Sequence, residues 1–160
     1  MEVGEAIEGR RSIRGYTADD VGEGDVDAIL EAARWAPSGL NNQPWRFRVL
    51  RGRQKDSLAR HTRYGRIIEA APVCVAVFLD ADAGYNRAKD LQAVGACIQN
   101  MLLRAHDLGL GAVWLGEIIN QHEDVEKELG VEHELMAVVA VGHPAQEGVS
   151  ERKALDELVV

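Results

Sequence analysis

Seven consecutive apolar residues, Val73-Cys74-Val75-Ala76-Val77-Phe78-Leu79, constrain this chain's fold more than any other segment. Such a run has no polar face to give to water. As a strand it belongs in the middle of a sheet that is covered on both sides. The rest of the sequence offers the cover. Val26, Ile29, Leu30 and Ala33 repeat at the i, i+3, i+4, i+7 spacing of one helix face. Between Arg87 and Leu108, Leu91, Val94, Ile98, Met101, Leu102 and Ala105 form a wide apolar stripe, and Gly95 and Ala96 would let another helix approach. Gly109-Leu110-Gly111 predicts the stop of that helix.

Further strands are expected at Trp45–Leu50, which alternates, at Ala112–Gly116 and at Leu135–Val141. A short helix is expected over Glu2–Gly9, with Val3, Ala6 and Ile7 on one side, and one or two more between Gln54 and Ile68. Asn120 followed by Glu123 resembles a capping pair that opens a helix running to Leu129. Helices and strands are mixed, with no repeat and no linker. One α+β domain over residues 1–160 is the economical expectation. The tail Leu155–Val160 is too apolar to hang free and too short to bury itself, so it is expected to pack on something such as a partner chain.

Composition removes several classes of function. A net charge of −8 leaves no basic footprint for nucleic acid or an anionic membrane surface. No apolar run approaches the roughly 20 residues of a membrane span, and the N-terminus lacks the apolar core of a signal peptide. Cys74 and Cys97 sit in apolar runs without CxxC spacing and read as buried, reduced thiols. The expectation is a cytoplasmic protein. The five histidines show no HxxH or HExxH spacing, so a metal site has no support. Ser38 lies in no G-x-S-x-G elbow, so a hydrolase triad has none either.

Two segments stand out chemically. Arg10-Arg11-Ser12-Ile13-Arg14 packs three cations and a hydroxyl into five residues. If extended, it points Arg10, Ser12 and Arg14 to one face, a phosphate-binding pattern; otherwise it is a solvated charge run. Ala36 to Trp45 gathers Ser38, Asn41, Asn42 and Gln43, whose donors and acceptors suit the edge of a heterocycle. Trp45 either offers its indole to that ring or anchors the next strand in the core. Gly109 to Glu117 is not a dinucleotide fingerprint, because Trp114 holds the sixth position and a helix precedes it. Gly116 and Glu117 could still turn main-chain N–H groups toward a ligand. Ser150-Glu151-Arg152-Lys153 is a second basic spot, completing a phosphate site or forming a polar turn.

Taken in order, these segments resemble the nitroreductase family of flavoenzymes, along essentially the whole chain. The residues that carry the resemblance are Arg10-Arg11-Ser12-Ile13-Arg14, Ala32 to Ser38, Asn41-x-Gln43-Pro44-Trp45, Ala105 to Gly111, Trp114-Leu115-Gly116 and Arg152-Lys153-x-Leu155. The resemblance implies an α+β fold on a mixed, mainly antiparallel sheet flanked by helices. It implies an intertwined homodimer that exchanges its C-terminal segment and holds two FMN molecules at the interface. Carried over, Arg10, Arg11, Ser12 and Arg14 line FMN, with Arg10 toward the phosphate and Arg14 toward the pyrimidine edge. Pro37, Ser38, Gly39, Asn41 and Gln43 approach it from the other subunit. Leu115, Gly116 and Glu117 bring backbone near N5 and O4, and Arg152 with Lys153 clamps the phosphate. The implied activity is ping-pong transfer from NADH or NADPH, through flavin N5, to a small-molecule acceptor such as a nitroaromatic or quinone. No catalytic acid or base from the protein is required. Specialised flavin reactions, such as enone reduction or dehalogenation, and flavin binding without turnover are the alternatives. Val113 and Glu117 depart from the cysteine and second glycine of many relatives, and Glu117 could narrow the site or bring a negative charge to it. The short stretch from Arg51 to Ala71 implies a small lid, with Tyr64 and Tyr85 as lid residues or surface aromatics.

Overall fold

A computed structural model describes all 160 residues. Four strands form an antiparallel sheet in the order β1-β2-β4-β3, with β1 at Trp45–Leu50, β2 at Val73–Leu79, β3 at Gly111–Leu115 and β4 at Glu134–Gly142. The apolar run of β2 sits inside, paired with β1 and β4, and every residue of it is buried. No helix is long and apolar enough to cross a membrane.

Each face of the sheet has its own core. Val73, Val75, Val77 and Leu79 join Ala137, Val139 and Val141 beneath α2 (Glu23–Arg34) and α5 (Arg87–Asp107). Cys74, Ala76 and Phe78 join Leu135, Val138 and Ala140 on the other face, with Ile68 of α4 (Gly65–Ala70) and Val125 and Leu129 of α6 (His122–Leu129). A strand alternates with period two, so Leu135 and Ala137 should share a face. They do not, because the register slips between Val77 and Phe78 and leaves Met136 as an extra residue. That bulge lets both leucine and alanine point into apolar surroundings.

The long helix ends as its glycines predict. Gly109 takes φ +76, the Leu110 N–H donates to the Ala105 carbonyl at 2.8 Å, and the Gly109 N–H to that of His106 at 3.0 Å. This pair of bonds turns the chain directly into β3. At the other end the Asn86 side chain accepts from the Lys89 N–H.

The expected capping pair at Asn120 is not formed. Glu117–Gln121 makes a turn of 3-10 helix that runs into α6, and its N-cap residue is Gln121 without a side-chain cap. The break before α6 falls at Gln121, whose φ of −118° and ψ of 29° are not helical, one position after Asn120. The short helices between β1 and β2 are α3 (Gly52–Asp56), a 3-10 turn at Ser57–His61, and α4. α1 (Val3–Gly9) buries no residue, and the tail beyond Ser150 is exposed throughout.

Candidate functional site

The basic segment is extended and laid against the sheet edge. Ser12 bridges Ala112 of β3 in parallel, and the Ile13 N–H donates to the Ala112 carbonyl at 3.0 Å. Ile13 is buried, which turns its neighbours Ser12 and Arg14 the other way. Gly111 makes the approach possible, since a Cβ there would lie 2.7 Å from Ile13 Cβ. The Tyr16 hydroxyl pins the end of the segment by donating to the Ile13 carbonyl at 2.7 Å and that of Ala140 at 3.2 Å. Burial of that phenol raises its pKa.

Arg10 and Arg11 line a cavity of about 470 Å³ together with Ile13, His106, Glu147 and Gly148. Arg11 donates to the carbonyls of Glu8 and Arg10. The Arg10 Nε is buried and has no partner. Burial lowers the Arg10 pKa first, and the like charges of Arg152 and Arg11 lower it further. The charge of Arg152, on the exposed tail, thus bears on Arg10 through space. None of Arg10, Arg11, Arg14, Arg152 or Lys153 forms an ion pair, although the chain holds 26 acidic residues. Two arginines on one cavity, one with an orphaned buried donor, fit a phosphate group.

The amide-rich segment forms a separate unit. Leu40, Asn41 and Gln43 all take positive φ, at 54°, 54° and 47°. Such strain in non-glycine residues clusters at functional sites. The Ser38 hydroxyl accepts from the Gln43 N–H at 3.0 Å, and the Gln43 side chain donates to the Asn41 carbonyl at 3.2 Å. Gly39 lies directly against the Tyr85 ring, where any Cβ would clash. Pro37, Ser38 and Gly39 line a hollow of about 320 Å³ with Tyr85 and Lys89. Asn42 is committed elsewhere, to the Ala83 carbonyl at 3.0 Å and Asp90 at 2.9 Å.

The structure decides between the two readings of Trp45. It is 5% exposed and belongs to the core under α2 and α5, so its indole anchors β1. The exposed indole at the sheet is Trp114, 42% accessible, beside Gly116 and Gly95. Leu115 is buried in the opposite core. Gly116 and Glu117 open a helical turn, whose first N–H groups have no partner within it. The Glu117 carboxylate is turned onto Thr62 and Arg63.

Within one chain, the cationic and amide segments line different cavities. Asp90 and Thr62 escaped sequence reasoning, because a carboxylate in a first helical turn and a threonine in a polar loop are ordinary there. No signal in the sequence marks their partners.

Comparison with known proteins identifies the family. The model of the nitroreductase family matches residues 7–65 and 53–143. The chain belongs to the nitroreductase family. It is 36% identical over 151 residues to a protein of Methanothermobacter thermautotrophicus assigned as an NADH dehydrogenase/NAD(P)H nitroreductase, covering 91% of this chain and 79% of that one. It is 26% identical to the FMN reductase [NAD(P)H] of Bacillus subtilis, over 99% of this chain and 72% of the relative. Among solved structures, a Desulfovibrio desulfuricans protein assigned as a nitroreductase and crystallised with FMN superposes with a TM-score of 0.97. That match has 53% identity and covers 100% of this chain and 96% of the other. This nitroreductase-family chain is an oxidoreductase by that membership.

Proposed function

We propose that this chain is an FMN-dependent NAD(P)H oxidoreductase, working as a homodimer and reducing small acceptors of the nitroaromatic or quinone class. The observation that carries the reading is Arg10 and Arg11 lining one cavity without an ion pair, with the buried Arg10 Nε lacking any partner. A buried guanidinium N–H without a partner is a donor that a phosphate oxygen would satisfy. The FMN-bound Desulfovibrio relative supports the identity of that anion.

In this reading Arg10 and Arg152, with Lys153 and Arg11 near them, hold the phosphate. Ser12 adds a hydroxyl beside it. Arg14 lies at the pyrimidine edge, where a cation stabilises the anionic reduced ring and raises its potential. Leu115, Gly116 and Glu117 place main chain along the N5 and O4 edge. The loop bearing Pro37, Ser38, Gly39, Asn41 and Gln43 serves the site of the other subunit, which accounts for its separate cavity. When bound, FMN supplies the two-electron chemistry that couples NAD(P)H oxidation to acceptor reduction in alternating half-reactions. The exposed α1 face and C-terminal tail are the surfaces by which two chains embrace.

The test is a visible absorption spectrum of the purified protein, before and after FMN addition and desalting. The expected result is a retained flavin spectrum, bleached by NADH or NADPH and restored by a quinone or nitroarene. Failure to retain flavin under any condition overturns the reading.

A further inference from the structure

We propose that Asp90 is a positioning residue for the cofactor: its carboxylate anchors the 38–43 loop through the Asn42 side chain. The proposal rests on the FMN reading above, in which Ser38, Asn41 and Gln43 are the contacts that loop offers.

Three left-handed, non-glycine residues within four positions persist only where the surroundings over-determine them. The loop's internal bonds, Gln43 to Ser38 and to Asn41, do not tie it to the rest of the protein. The Asn42 side chain does. Its amide donates to Asp90 Oδ1 at 2.9 Å and to the Ala83 carbonyl at 3.0 Å. Asp90 Oδ2 accepts from the N–H groups of Tyr85 at 3.1 Å and Asn86 at 3.0 Å. One carboxylate thus joins the loop to the 83–86 turn and the first turn of α5. The same turn carries Tyr85, whose ring covers Gly39.

The chemistry of position 90 is specific. Asp90 is 4% exposed and has no cation within ion-pair distance. Its charge is answered by N–H donors, and both oxygens accept. Hydrogen bonds from Asn42 first, then from Asn86 and Tyr85, hold its pKa below the usual value. An asparagine there would aim its own NH₂ at another donor, either the Asn42 amide or the two backbone N–H groups. A group that only filled space would tolerate the isosteric amide.

The experiment compares wild type, Asn42→Ala, Asp90→Asn and the double variant. Two quantities are read for each: the FMN dissociation constant from flavin fluorescence, and the melting temperature of the apoprotein. The expected result is a loss of FMN affinity of about ten-fold in each single variant, with the double variant no weaker than the weaker single, the signature of one shared interaction. If both singles bind FMN within about two-fold of wild type while melting lower, Asp90 is structural only and the proposal falls. Additive losses in the double variant also overturn it. If Asp90→Asn does not fold, Asn42→Ala decides alone, since it removes the loop's tie to Asp90 and leaves Asp90 two donors. A wild type that binds no FMN is a separate outcome, which overturns the function reading and this proposal with it.

Discussion

The Thr62 hydroxyl donates to the Glu117 carboxylate at 2.6 Å. Glu117 follows β3 at the proposed ring edge, and Thr62 lies in the short excursion between β1 and β2. The Arg63 N–H joins at 3.3 Å and its Nε at 3.4 Å. The carboxylate that could have charged the pocket is therefore spent in tying down the turn that carries Tyr64. Tyr64 itself is partly exposed, with the Arg63 guanidinium 5.8 Å from its ring centre.

Removing that tie should loosen the turn. Glu117→Ala is expected to raise the acceptor KM by about two- to five-fold and to speed amide exchange at Arg63 and Tyr64. The Thr62 hydroxyl first, then the Arg63 backbone and side chain, hold the Glu117 pKa below the ordinary carboxylate value. The folded pKa being lowered, the tie is fully present above the ordinary value and is lost as pH falls through the lowered one. Exchange protection at Arg63 should follow that course in wild type and vanish in the variant.

The Arg10 cluster predicts stabilisation by anions. Inorganic phosphate should raise the melting temperature of apoprotein in a concentration-dependent way, because a ligand of the folded state stabilises it by mass action. In Arg10→Ala the shift should shrink by more than half, roughly, with one of the cavity's two arginines gone. Scanning calorimetry across a phosphate series decides this; equal shifts would remove Arg10 from the anion site.

In the proposed FMN-bound dimer, Arg14→Ala should leave the oligomeric state unchanged, yet weaken FMN binding and slow reduction by NAD(P)H by about ten-fold, as expected if its charge lies beside the developing anion. Sedimentation and stopped-flow absorbance are the measurements. Unchanged behaviour in both binding and reduction rate would reassign this residue.

Gly111→Ala tests how the basic segment is seated. The new Cβ would fall 2.7 Å from Ile13 Cβ, an atom close to the backbone that cannot swing aside. A cost of about 1–3 kcal/mol in urea unfolding is expected. Phosphate stabilisation should weaken too, since Ile13 lies between the cations.

The thiols should be inert. Burial pushes Cys74 and Cys97 up to about 12. Neither should react with a thiol reagent at neutral pH until the protein unfolds, so labelling should track unfolding in a urea series.

Much of the fold was legible in the residues themselves. Val73–Leu79 declared a strand covered on both faces, and β2 is that strand. Gly109 declared the end of α5 because its left-handed φ suits glycine better than any residue with a side chain. The site was legible only as two chemical segments. Trp45 shows why: an indole beside a loop reads the same whether it faces a ligand or a core, and its burial under α2 and α5 depends on packing.

The sequence by itself determined the secondary elements, the two cysteines' apolar settings, and the family-bearing order of cations and amides. These follow from local periodicity, glycine geometry and residue chemistry, each readable over a few positions. Tertiary structure alone decided that the Arg10 Nε is buried without a partner and that Met136 bulges so both faces of the sheet are filled. It alone joined Asn42 to Asp90 and Thr62 to Glu117, pairs 48 and 55 residues apart. Hydrogen bonds at that separation are set by how helices settle on the sheet, and no local pattern encodes them.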